Sequence, residues 1–338
     1  MALETTEIDT PPNWGVIEFI PSAGHTSVQL IIIYRGTRLH IYLFEEAFFE
    51  SPQLREKYLL YVKEYSDEKV DRSFWNWIVE PFYPLLRNFP SPAPSKIPTL
   101  KDYVYAETLT YMVGGTASGE RVPYHTPQKQ HTQHIKYDVR LPDELCEPWP
   151  RFHPSEIKIC ANNLEAALSS VPKKVQLVNG SEVFFLKLIH YEYQDREFRN
   201  YKMIADAGLD REEDLRISHL EGFVQDERGV LLGLLFPYIN GRNMTLMSAT
   251  EPYASPDLRR RWADQVTSTV KRLHAAGAVW GDARASNVLI DADYNAWVTG
   301  FDVYCTEGLV DDELAGTVEG DLQGLAKIME HLGKRDQS

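Results

Sequence analysis

The sequence predicts an α+β protein built in two parts, and three observations carry that prediction. A β-branched and aromatic hairpin pattern opens the chain. Five strand patterns with one helix inserted after the third follow Arg151. An apolar stripe at helical spacing then marks the C-terminal third. The 338 residues suffice for two domains, and 43% hydrophobic with 25% charged residues is the composition of a chain that packs a core.

The formal net charge of -14 repels phosphate backbones and acidic lipid surfaces, which argues against a nucleic-acid partner. No run approaches the roughly 18 apolar residues of a membrane span. Cys146, Cys160 and Cys305 are widely spaced and odd in number, the usage of buried thiols in a reducing compartment. Met1 to Trp14 carries acids but no Lys or Arg, unlike a secretory leader. The expected location is therefore cytoplasmic or nuclear.

Residues 1–13 read as a flexible tail, 14–98 as a hairpin-plus-helix region, and 99–150 as connecting strands and loop. Val28 to Tyr34 and Leu39 to Phe44 flank Arg35-Gly36-Thr37 as a hairpin. Ser51-Pro52 offers an N-cap and first-turn proline, after which Leu54, Tyr58, Tyr61 and Tyr65 recur at helical spacing. The aromatic residues between Phe74 and Tyr83 read as a helix packed on the hairpin rather than a ligand surface. The six prolines between Pro81 and Pro98 read as a stiff spacer. Tyr103 to Val113 reads as a strand with Gly114-Gly115 as its turn. His125, His131 and His134 read as a solvated loop in preference to a metal site.

After Arg151, Glu156 to Cys160 is a strand candidate. Lys174 to Val178 and Val183 to Ile189 form a predicted hairpin whose Asn179-Gly180 is a type I′ signal. A helix from about Tyr193 to Ala207 ends at Gly208, and strands Leu220 to Val224 and Val230 to Tyr238 follow. Ser255-Pro256 starts a helix whose Leu258, Trp262, Val266, Val270 and Leu273 share one face, with Gly277 as its terminator. Val288 to Ile290 and Ala296 to Thr299 make a last small hairpin.

The chemistry concentrates in three places. Lys187 lies on the third of the five strands, in Phe185-Leu186-Lys187, and Glu197 lies in the helix that follows. Leu273-His274-Ala275-Ala276-Gly277 ends a helix, and Gly281-Asp282-Ala283-Arg284-Ala285-Ser286-Asn287-Val288-Leu289-Ile290 comes shortly after. Asp282 and Asn287 are five apart, the Asp-x-x-x-x-Asn spacing of a phosphotransfer loop.

On these residues, the stretch from about Arg151 to Leu332 resembles fungal protein-kinase-like proteins. That group has a short C-lobe similar to those of aminoglycoside phosphotransferases and other atypical small kinases. Thr306 to Asp311 and Gly316 to Leu325 also look like that group. The resemblance implies a bilobal protein-kinase-like fold, with a five-stranded N-lobe over 151–240 and a short helical C-lobe over 241–338. It implies ATP and Mg²⁺ as cofactors, and a nucleotide cleft near Phe236-Pro237-Tyr238-Ile239, with Phe236 and Tyr238 as cofactor-binding residues. Lys187 would grip the α- and β-phosphates and Glu197 would hold it, Asp282 would take the hydroxyl proton, and Asn287 would ligate Mg²⁺. Asp321 would begin a helix that braces the loop.

The sequence departs from the family in three ways. Gly300-Phe301-Asp302 stands where the family has Asp-Phe-Gly, so the principal Mg²⁺ carboxylate is lost unless Asp302 serves as a displaced ligand. Arg284 replaces a Lys, exchanging a mobile point charge for a fixed fork. No Gly-x-Gly-x-x-Gly precedes Lys187, the corresponding stretch being Ala161 to Val171. The expected function is an ATP-binding phosphotransferase of weak or altered activity on a protein Ser/Thr or a small hydroxylated molecule. The alternatives are a pseudokinase scaffold, or a kinase fold turned to non-phosphoryl chemistry on a metabolite.

Overall fold

The computed structural model describes residues 10–22, 26–66, 72–93, 96–125, 139–189, 195–212, 214–241, 244–249, 254–301 and 310–333. It is a mixed α+β protein with several sheets. The chain divides into two compact units: Met1–His134 with Pro154–Ser181, and Ile135–His153 with Glu182–Ser338. This division is interleaved along the chain. Residues 154–181 belong with the first unit, and the short stretch before them belongs with the second.

The first unit opens with β1 (Gly15–Pro21), β2 (Val28–Tyr34) and β3 (Thr37–Leu43), paired antiparallel in that order. Tyr34 faces Thr37, and both Arg35 (φ 50°) and Gly36 (φ 79°) between them are left-handed, the geometry of a type I′ turn. The chain then runs through α1 (Pro52–Ser66), α2 (Arg72–Val79), α3 (Tyr83–Arg87) and α4 (Leu100–Val104). It returns as β4 (Glu107–Gly115), parallel to β3, and turns into β5 (Arg121–His125). Alternation along β2 and β3 sends Leu30, Ile32, Leu39 and Ile41 to one face. There they form one apolar core with Phe48, Tyr58, Phe74, Trp77, Ile78 and Phe82. The aromatic helix therefore packs, as helical aromatics usually do.

Three sequence expectations need correction here. Pro81 and Pro84 sit in the first turns of short helices, where a missing N–H costs nothing, so only the later prolines are left for a spacer. The strand expected from Tyr103 begins at Glu107. Thr99 and Asp102 form a capping box, with the Thr99 backbone N–H donating to Asp102 Oδ2 at 2.9 Å, which winds 100–104 into a helix. Gly114 and Gly115 are not a turn but the end of β4, paired with Val122 and Arg121. A Cβ on Gly114 would lie 2.9 Å from the Ala47 carbonyl oxygen, so glycine there serves close approach. The turn itself is Thr116 to Gly119.

Beyond the first sheet, α5 (Asp143–Cys146) and β6 (Arg151–Phe152) belong to the second unit. The strands β7 (Ile157–Ile159) and β8 (Lys174–Leu177), which pair antiparallel, and α6 (Leu164–Leu168) between them return to the first. The stretch Ala161 to Val171, which stands where the resemblance implies a glycine-rich loop, thus holds a short helix, capped by Asn163 Oδ1 accepting from the Ala166 N–H. Asn179 and Gly180 are not left-handed. The Gly180 N–H donates to the Leu177 carbonyl across an ordinary turn, and the type I′ expectation fails there.

The second unit carries β9 (Val183–Leu188), α7 (Asp195–Asp206), β10 (Gly222–Gln225) and β11 (Leu231–Pro237). Within this unit the strands pair in the order β6-β10-β11-β9, part of a six-stranded sheet, antiparallel except for β6, an edge strand the sequence did not advertise. Next come α8 (Leu246–Ala249), α9 (Pro256–Ala275), the hairpin β12 (Val288–Ile290) and β13 (Ala296–Val298), and α10 (Val318–Gly333). Ser255 caps α9 by accepting from the Leu258 N–H, and Trp262, Val266, Val270 and Leu273 are all buried along its stripe. Gly277 (φ 81°) ends it. Among the described residues, no helix is long and apolar enough to cross a membrane.

Candidate functional site

The site is built on β9, α7, the loop after α9 and the hairpin β12–β13, all within the second unit. Residues Phe184 and Leu186 of β9 are buried on one face, while Phe185 and Lys187 share the other. Lys187 Nζ lies 3.0 and 2.9 Å from the two carboxylate oxygens of Glu197, a two-point ion pair. Glu197 sits in the first turn of α7, where the helix dipole favours an anion, and is only 3% exposed. The expected pairing of Lys187 with Glu197 is thus present.

The loop after α9 is fixed from below by Asp321, in the first turn of α10 and 2% exposed. Its carboxylate accepts from the Trp280 N–H (2.7 Å), the Gly281 N–H (2.8 Å) and His274 Nε2 (2.8 Å). Close packing makes this reach possible: a Cβ on Gly324 would stand 2.2 Å from the Ala283 carbonyl oxygen. The Trp280 indole is fully buried and donates to the Thr299 carbonyl at 2.8 Å, tying the loop to the residue before Gly300.

Asp282 and Asn287 are brought together. Asn287 Nδ2 donates to Asp282 Oδ2 at 2.6 Å and to the Asp282 carbonyl at 3.0 Å. Arg284 pairs with the same Asp282 oxygen at 3.0 Å. With its NH₂ turned to Asp282, the hard-donor end of Asn287 is its amide oxygen. The β12–β13 turn behind it is set by Asp291. Burial raises the pKa of that carboxyl, but hydrogen bonds from the Asn295 and Asp293 N–H groups, the Trp297 indole and the Asn295 amide outweigh burial and lower it.

Gly300 (φ 70°) crosses directly over Asn287, and a Cβ there would lie 3.1 Å from Asn287 Cγ and Nδ2. Phe301 is fully buried and packs edge-on to Tyr201 of α7, ring centroids 5.3 Å apart. Tyr201 in turn meets Phe236 at 5.3 Å. Phe236 is a core side chain, 3% exposed, which places it as packing rather than as an open contact surface, while Tyr238 just beyond β11 is half-buried. Asp302, the expected displaced metal ligand, lies outside the described residues, as do His131 and His134.

One helix joins the two halves. Helix α7 holds Lys187 through Glu197 and reaches the Asp282 loop through Asn200, whose Oδ1 accepts from the Val279 N–H at 3.4 Å. It also meets Phe301 through Tyr201 and the Gly316 carbonyl through Arg196. Sequence reasoning missed the part played by Trp280, for which a bulky aromatic immediately before Gly-Asp was the available signal. Among the described residues, no group of three or more His, Cys, Asp or Glu side chains is placed to hold a metal ion. No protein-family model matches this chain, and no curated protein matches it.

Proposed function

We propose that the chain from about Arg151 onward adopts a bilobal protein-kinase-like fold that binds ATP. We propose further that it acts as a phosphotransferase of weak or altered activity on a small hydroxylated molecule or a protein Ser/Thr. The observation that carries this reading is the pair of pairs joined by α7. Lys187 is held by Glu197, and Asp282 is held by Asn287, four of the groups that phosphoryl transfer uses.

In this reading Lys187 binds phosphate oxygens and Glu197 keeps its amine from swinging away. Asp282 accepts the proton of the attacking hydroxyl, with its carboxylate oriented by Asn287. Arg284 adds a fixed positive charge at the same carboxylate, within reach of a phosphate. The donor types fit Mg²⁺, since Asp282 and Asn287 carry the hard oxygens that ion prefers. When bound, the ion would supply charge neutralisation at the phosphates. Gly300 contributes no side chain to that task, so the donor set is one carboxylate short.

That shortage favours a second reading, a non-catalytic module that holds nucleotide without turning it over. Calorimetric titration of the full chain with ATP, with and without Mg²⁺, alongside a turnover assay, separates the two. Binding that strengthens with Mg²⁺ and slow turnover support the first reading. Binding indifferent to Mg²⁺ with no turnover supports the second. Absence of nucleotide binding overturns both.

A further inference from the structure

A concave pocket of about 650 Å³ opens on the first unit, between the segment at Pro11–Trp14 and helices α1 and α2. That volume falls within the range of small-molecule sites. Four aromatic side chains line it: Trp14, Tyr61, Trp77 and Tyr83. The Tyr61 and Trp77 rings stand 5.7 Å apart and tilted, and the two tryptophans are buried, so these walls are set by the core beneath them. Flat, apolar and rigid, they suit a planar ring.

The charges of the lining are unusual for a chain of net charge -14. Lys57, Arg72 and Glu80 all line the pocket. Glu80 is committed to Arg121, whose Nη2 lies 2.5 Å from its carboxylate while the guanidinium covers the Trp77 ring at 4.8 Å. Neither Lys57 nor Arg72 has a carboxylate partner among the described residues. Lys57 Nζ stands 5.8 Å above the Tyr61 ring instead. With Glu80 paired, the lining presents two cations that have no carboxylate partner among the described residues, beside aromatic walls.

We infer that this pocket is a binding site for a small aromatic anion: a planar ring system bearing a carboxylate, sulfonate or phosphate. The ring lies against Tyr61 and Tyr83, the two half-buried aromatics of the lining, and the anionic group is met by Lys57 and Arg72.

The test is calorimetric titration of the full chain with 1-naphthoate and with its neutral counterpart, 1-naphthalenemethanol. Naphthoate is expected to bind saturably and at least about ten-fold more tightly than the alcohol, the weight of one charge-assisted contact. The double variant Lys57→Ala/Arg72→Ala should lose that advantage and leave the alcohol unaffected. Both side chains are exposed, so thermal unfolding should move little and the variant remains informative. Tyr83→Ala should weaken both ligands together. Equal affinity for acid and alcohol, an unaltered double variant, or no saturable naphthoate binding would each overturn the assignment.

Discussion

Asn287 clasps Asp282 at two points, its side-chain NH₂ reaching both the carboxylate (2.6 Å) and the main-chain carbonyl (3.0 Å) of the same residue. The segment Asp282 to Asn287 is thereby closed into a rigid six-residue bracket. Asn287→Ala should cost roughly 1–2 kcal/mol of stability through the lost bonds. Asn287→Asp should cost more, since it removes both donors and sets a second carboxylate against Asp282. Chemical denaturation of the two variants checks the order, and a ranking of Asp below Ala in cost would contradict it.

Gly300 adopts φ 70° with Asn287 beneath it. Restoring an acid there is therefore not a free repair. Gly300→Asp should raise phosphoryl transfer if the missing carboxylate is the main lesion. It should also lower stability by roughly 1–2 kcal/mol, the cost of a side chain in the left-handed region. Gly300→Ala should show the same loss of stability with no gain in turnover. Melting curves and a turnover assay on both variants report the two effects independently.

The carboxylate of Asp321 serves three donors in a nearly dry setting. Asn in its place presents an NH₂ to at least one of them, leaving buried donors facing each other. Asp321→Asn should destabilise by roughly 3 kcal/mol and loosen the Trp280–Asp282 loop. Amide hydrogen exchange at Trp280 and Gly281 is the direct readout, and protection equal to wild type would refute the bracing role.

His219 supplies a pH dependence. Burial lowers its pKa, but the hydrogen bond to Glu221 (2.9 Å), the charges of Glu221 and Asp210, and the Ile217 backbone together raise it above the ordinary 6.5. A raised folded value means its stabilisation is fully present below pH 6.5 and is lost as pH climbs through the folded value. Melting temperature should therefore decline across the neutral range, and His219→Gln should flatten that slope. An unchanged slope in the variant would assign the effect elsewhere.

Much of the second unit could be read from local pattern. The α9 stripe, its Ser255 cap and its Gly277 stop are nearest-neighbour signals, and so is the Asp-x-x-x-x-Asn spacing. The pairing of Lys187 with Glu197 was an expectation of the family resemblance, since a strand lysine followed by a helix glutamate is common by itself. What escaped depended on distant partners. The β6 strand is two residues long and exists only because β10 lies beside it. Gly114 looks like a turn residue until Ala47 is seen against it. Residues 154–181 leave their sequence neighbours for the first unit through long-range contacts that periodicity does not encode. The Thr99–Asp102 box, by contrast, was written in the sequence and outvoted by the β-rich stretch that follows.

The account rests most heavily on Lys187 and Asp282 serving one bound nucleotide, and the affinity of Lys187→Met for ATP tests this most directly. Loss of a charged hydrogen-bond donor to phosphate should weaken ATP binding roughly ten- to hundred-fold relative to the wild-type chain. Affinity equal to wild type, in a variant shown by its melting curve to be folded, would contradict it.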